Sequence, residues 1–159
     1  MKDRKEGLLG LVAKIAILAG EPSGDLIAAQ LMAYIRTKES DIEFIGIGGP
    51  LMKQEGLESF FDYSNLSLYG VFQVIPNIPK LIFLRCKLIK YLKKEKPDIF
   101  IGVDAPDFNF YVEKKLKQSG ITTFHYVAPS VWAWRPNRVY KIKKSTDHIF
   151  SIFPHEKPL

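Results

Sequence analysis

Cysteine is nearly missing from this chain. Cys86 is the single one in 159 residues, which excludes an internal disulfide framework and fits a reducing compartment. Histidine is scarce too, and His125, His148 and His155 lack metal-ligand spacing, so neither a metal nor any other cofactor is expected. No uninterrupted apolar run is long enough to cross a bilayer. Internal repeats, low-complexity segments and linkers are absent. So is the Gly-x-Gly-x-x-Gly fingerprint: the nearest stretch, Gly20-Glu21-Pro22-Ser23-Gly24-Asp25, has the wrong glycine spacing. Where a dehydrogenase places an acid for the ribose hydroxyls, this chain has Gly48-Gly49-Pro50. These two absences count against a nicotinamide-dependent oxidoreductase. No recognition motif for nucleic acid accompanies the positive charge.

What is present fits one globular domain. The composition is 47% hydrophobic and 25% charged, with a net charge of +6. That balance points to an anionic partner, whether lipid or phosphorylated metabolite. Lys2, Arg4 and Lys5 before an apolar stretch superficially resemble a secretory signal. However, Lys14 breaks the run, and Asp3 and Glu6 sit among the bases. Residues 1–13 therefore read as an N-terminal extension, and Lys14–Ala19 as the first strand of a cytosolic domain.

From there strands and helices alternate. The Gly20–Asp25 turn leads into a helix ending near Lys38, with Leu26, Ile27, Gln30, Leu31, Tyr34 and Ile35 at helical spacing. As a cofactor signal the turn is weak, though its backbone amides are of a kind that can cradle an anion, and Asp25 is expected to complement the positive end of the same helix. Ile42–Ile47 is a second strand and Leu51–Gln54 a short helix stopped by Gly56. Phe60–Tyr63 reads as a short strand or packed loop. Pro79 opens a long helix that carries Leu81, Ile82, Phe83, Leu84, Leu88, Ile89, Tyr91 and Leu92 on more than one face. The same helix and its exit hold Lys80, Arg85, Lys87, Lys90, Lys93, Lys94 and Lys96 against one acid, Glu95. A basic helix beside surplus apolar residues reads either as a core helix with a solvated face or as a membrane-surface element.

Ile99–Val103 has no polar alternation, as expected of a strand buried on both faces of a parallel sheet. It ends abruptly in Asp104, Asp107 and Asn109. Ligands of open α/β sheets sit outside the carboxyl ends of the strands, which makes Asp104 a candidate general base and Asp107 the expected cap of the next helix. That helix, Asp107–Ser119, turns Phe108, Tyr111, Val112 and Leu116 inward. Ile121–Val127 is a further strand, in which His125 reads as a core residue. Trp132, Trp134 and Arg135 follow in a loop suited to walling a sugar or acyl pocket. Pro136 permits another basic helix, and Asp147–Phe153 a last strand. The alternation gives an α/β domain with a parallel, Rossmann-like sheet.

Three of these stretches, Gly20–Asp25, Gly102–Asn109 and His125–Arg135, resemble in identity and order the motifs of the lipid-A-disaccharide synthases; the similarity runs from Ile15 to Lys157. The resemblance implies the N-terminal, acceptor-side half of a GT-B glycosyltransferase, 14–159, with a second, donor-binding domain lying outside these residues or on a complementing chain. It implies transfer of 2,3-diacylglucosamine from its UDP conjugate to 2,3-diacylglucosamine 1-phosphate. It places the essential aspartate at Asp104, with Glu21, Ser23, Asp107, Asn109, Trp132, Trp134 and Arg135 as substrate-binding candidates. It also favours attachment to the anionic surface of the inner membrane from the cytoplasm, through Val71, Phe72, Val74, Ile75, Ile78, Phe83 and Arg85. A non-catalytic peripheral membrane module is the alternative.

Overall fold

The computed structural model describes residues 13–61, 74–126 and 142–150; at 74–78 and 80 it describes the backbone alone. Val71, Phe72, Trp132, Trp134 and Arg135 lie outside the described residues. So do the side chains of Val74, Ile75 and Ile78, the N-terminal extension up to 12, the start of the helix expected after Pro136, and the last strand beyond 150.

The described elements in chain order are β1 (Ala13–Ala19), α1 (Pro22–Lys38), β2 (Ile42–Ile47), α2 (Pro50–Gln54), β3 (Leu57–Ser59), α3 (Val74–Glu95), β4 (Ile99–Val103), α4 (Pro106–Lys117), β5 (Thr122–Tyr126) and β6 (His148–Phe150). The strands form one sheet in the order β3-β2-β1-β4-β5-β6, every pair parallel. This is the doubly wound order of a Rossmann-like domain.

Both faces of β1 and β4 are covered, which explains their unbroken apolar sequences. Ile15, Ile17 and Ala19 of β1 and Ile101 and Val103 of β4 share one layer with Ala28, Ala29 and Met32 of α1. Ala16, Leu18 and Phe100 face the other way, onto Leu88 and Leu92 of α3 and Phe108, Val112 and Leu116 of α4. The period of two along each strand divides the core between the two helical layers. Each sealed leucine, among them Leu88, Leu92 and Leu116, contributes about 1.5–3 kcal/mol by leaving water.

Several local expectations shift. In α1 the small residues Gly24, Ala28 and Ala29 meet the sheet, while Leu26 and Tyr34 are exposed; close packing on a strand favours small side chains over bulk. β3 is Leu57–Ser59, and of the Phe60–Tyr63 stretch the described residues Phe60 and Phe61 follow it as a packed loop. Phe60 stacks on Tyr91 of α3 at 4.1 Å. Pro79 does not open α3 but lies inside it, five residues past Val74. Tyr111 is not inward; it is exposed, and Arg85 of α3 lies 3.8 Å above its ring. Asp25 has left the dipole of its own helix for another: its carboxylate accepts the N–H groups of Gly49 (2.8 Å), Leu51 (3.1 Å) and Met52 (3.1 Å) at the start of α2. A side chain at Gly49 would collide with that carboxylate. Gly49 therefore makes room for an internal acid, while Gly48 makes room for the Met52 and Leu57 side chains.

Candidate active site

β1 ends at Ala19 and β4, its register partner, at Val103. The chain leaves β1 toward β2 on one side, and β4 leads to β5 on the other, so a crevice opens between their carboxyl ends. Two short turns line it. After β1 come Gly20 and Glu21, with Pro22 starting α1. After β4 come Asp104 and Ala105, with Pro106 starting α4. The turns nearly touch: a Cβ built on Gly20 would stand 3.4 Å from Ala105 Cβ, and one on Gly24 would stand 3.7 Å from Asp104 Cβ.

Asp104 is half-buried at this rim, and Glu21 and Ser23 are exposed at the same edge. The N-terminus of α1 adds the partial positive charge of its free N–H groups. Two carboxylates, Asp104 and Glu21, therefore stand at this edge beside the start of α1.

The backbone that presents it is unusual. Asp104 (φ 54°) and Ala105 (φ 43°) are consecutive left-handed residues, and neither is glycine. Each such conformation costs an L-residue about 1–2 kcal/mol. Four hydrogen-bonding groups hold it in place. The Asp104 N–H donates to Tyr126 O at 3.1 Å, and Ala105 O accepts the N–H groups of Phe108 (3.1 Å) and Asn109 (3.0 Å). The Asn109 side-chain amide donates to Asp104 O at 2.7 Å and to Val103 O at 3.3 Å. Ala105, rather than Asp107, is therefore the N-cap of α4. Asp107 is exposed in the first turn, where it complements the helix dipole. Asn109 is fully buried; its amide is spent on the turn instead of facing the crevice.

Beneath the turn lies a polar cluster that the sequence did not reveal. His125, directly opposite Gly102 in the β4–β5 register, has its Nδ1 2.7 Å from Glu113 Oε1 of α4, and both side chains are sealed from solvent. Burial pushes the Glu113 carboxyl above its ordinary range, with His125 and then Thr146 opposing the shift. Phe110 stacks against the imidazole at 4.3 Å. His125 is the core residue its strand position implied. The signal for its partner was slight: Glu113 stands four residues after Asn109, on the same face of the helix.

Of the other candidates, Phe83 is exposed on α3 with the Lys87 ammonium 4.7 Å from its ring centroid, and Arg85 packs on Tyr111 as described. Among the described residues there is no group of histidine, cysteine and acidic side chains suited to a metal. No described helix is long and apolar enough to cross a membrane.

Comparison with known proteins is consistent with this geometry. Residues 15–159 match the family model described as lipid-A-disaccharide synthetase. Lipid-A-disaccharide synthase of Idiomarina loihiensis is 51% identical over 144 residues, that of Chromobacterium violaceum 51% over 146, and that of Azotobacter vinelandii 48% over 145. These alignments take in 91%, 92% and 91% of this chain but 38% of each relative. Among solved structures, a protein assigned as a UDP-N-acetylglucosamine 2-epimerase from Listeria monocytogenes superposes with a TM-score of 0.56 at 12% identity, over 90% of this chain and 39% of that one. At that identity the likeness concerns the fold alone.

Proposed function

Because this chain belongs to the lipid-A-disaccharide synthetase family, we propose that it forms the acceptor-side domain of an inverting glycosyltransferase. The transferred group is 2,3-diacylglucosamine, delivered from its UDP conjugate to the 6-hydroxyl of 2,3-diacylglucosamine 1-phosphate. The observation that carries this reading is the placement of Asp104 at the crevice between β1 and β4, half-exposed and beside the start of α1.

Asp104 is positioned to take the hydroxyl proton as the oxygen attacks the anomeric carbon and UDP departs. A single displacement of this kind inverts that carbon and requires one base and no covalent enzyme intermediate. Glu21 and Ser23, on the same rim, are the proposed contacts to sugar hydroxyls, and Asp107 lies at its outer margin. Trp132, Trp134 and Arg135 are proposed as a wall of the acceptor pocket. The diphosphate charge is balanced by arginine and lysine groups, with the donor held mainly by a second Rossmann-like domain of the GT-B arrangement. We place the protein on the cytoplasmic surface of the inner membrane, because both proposed substrates carry acyl chains.

The test is Asp104→Asn in this chain joined to the donor-binding part of a family member. Turnover is expected to fall by at least about a thousandfold, within the range attributed to a lost general base, with far-UV circular dichroism unchanged. Retained turnover would remove Asp104 from the chemistry. The isolated 159-residue chain is expected to show no transfer. A second reading, a non-catalytic lipid-binding module, is favoured by one observation: the exposed Ile82 and Phe83 beside Lys87 on α3. Lipid binding with no turnover in the joined protein would select it.

A further inference from the structure

Asn109 is wholly buried, yet its amide is directed at the carbonyls of Val103 and Asp104, the two residues that carry the chain from strand into the left-handed turn. The turn needs such support. With consecutive positive φ values at Asp104 and Ala105, relaxation would swing the carboxylate away from the crevice. What fixes Asn109 is in turn identifiable. It stands one helical turn before Glu113, and both crowd the bare Cα of Gly102. A Cβ at that position would collide with Glu113 Oε1 and come within 3.0 Å of Asn109 Cβ and Cγ. Glu113 is held by His125, the register neighbour of Gly102, at 2.7 Å through the same Oε1. The sealed pair thus ties α4 to β5 across the notch that Gly102 leaves in β4.

An arrangement of this kind is poorly explained by stability. Asn109 Oδ1 and His125 Nε2 find no hydrogen-bond partner among the described residues. Buried polar atoms left this way are destabilising, and apolar residues of similar volume commonly replace buried pairs without loss. Local rules of this sort are broken chiefly where a site requires it.

We propose that Asn109 is a positioning residue for the Asp104 carboxylate, and that the buried Glu113–His125 pair, seated in the notch at Gly102, holds Asn109 in place. The inference rests on the reading of Asp104 as the reacting group, but its test does not depend on turnover.

The experiment is amide hydrogen exchange by NMR on the 15N-labelled 159-residue chain, comparing the Asp104 amide with that of Ile101 in the strand interior. Three variants are measured: Asn109→Ala, the apolar double variant Glu113→Leu with His125→Phe, and the conservative Glu113→Gln. Thermal unfolding first establishes that each is folded. In Asn109→Ala and in the double variant, exchange is expected to accelerate at Asp104 at least about fivefold more than at Ile101, a local opening rather than a global one. Glu113→Gln keeps an acceptor for His125 and is expected to keep the parent ratio. A smaller difference in the double variant, or the same loss in Glu113→Gln, would overturn the proposal. Should the double variant fail to fold, His125→Phe, which removes the donor to Glu113, is measured in its place against the same fivefold criterion. A negative result here with an inactive Asp104→Asn enzyme would remove the positioning device and leave the base; the converse would remove the base alone.

Discussion

At the scale of single residues, the buried Glu113 links the interior of the domain to solution pH. Burial raises its carboxyl pKa in the folded chain above the ordinary value of 4.5. The folded state therefore holds this proton at pH values where the unfolded chain has released it. The contribution is complete below the unfolded pKa and is lost as pH rises through the folded one. Glu113→Gln removes the titration, so the variant should lose less of its thermal stability than the parent between pH 4.5 and pH 8. Parallel melting curves across that range would check the sign. Asp147 has the opposite sense. Burial raises it, but the Thr123 N–H, Lys117 and the Thr123 hydroxyl together outweigh that and hold the carboxyl below its usual range. Its support for the β5–β6 junction is therefore present at neutral pH and fades in acid. The place of Asp104 at the sheet's rim was legible from the abrupt end of an apolar strand, and His125 was legible as a core residue. The pairing of His125 with Glu113 beside Gly102 was not, because nothing local in a sequence announces that residues 11 and 12 positions apart will share a buried notch.

Among the elements, α2 shows how a short segment is stabilised from outside. Five residues are too few to hold a helix by their own hydrogen bonds, and Gly49 offers no side chain for capping. Asp25, buried on α1, accepts three of the first N–H groups instead. Replacing it by alanine strands those donors in a largely buried position. Asp25→Ala should cost about 2–3 kcal/mol in urea unfolding, above the range for a single lost cap because three donors lose their acceptor. Loss of less than about 0.5 kcal/mol would mean that solvent satisfies the same groups. Strands β1, β2 and β4 and the end of α1 were readable because apolar runs and turn residues are local signals. Of the residues at helical spacing in α1, Ile27, Leu31 and Ile35 pack against the core, whereas Leu26 and Tyr34 are exposed because close approach to the sheet selects Ala28 and Ala29. The start of α3 was misplaced for a related reason: proline is best tolerated in the first turn, yet here the helix begins at Val74 and carries Pro79 within it.

For the molecule as a whole, a net charge of +6 and the exposed pair Ile82 and Phe83 on α3 define the face proposed to meet lipid. Each cation near an anionic leaflet contributes about 1 kcal/mol, so attachment should be reversible and weakened by salt. Co-sedimentation with vesicles containing anionic phospholipid should fall at least about fivefold for Ile82→Ser with Phe83→Ser, since each large side chain withdrawn from water is worth about 1.5–3 kcal/mol. Unchanged binding would move the contact elsewhere, with Val71→Ser plus Phe72→Ser as the next pair to examine. The parallel sheet was legible from its alternation of elements; the strand order was not, since it depends on which distant segments pair. That order also determines how the site can be dissected. The two walls of the crevice are joined by pairing such as Ile15 with Ile99, positions 84 apart. No excised peptide carrying either motif alone retains a cleft, and grafting the Asp104 loop onto a foreign scaffold transfers letters without geometry. The smallest inheritable unit of this site is the whole span from β1 to β5, whose Tyr126 carbonyl and His125 ring support the Asp104 turn.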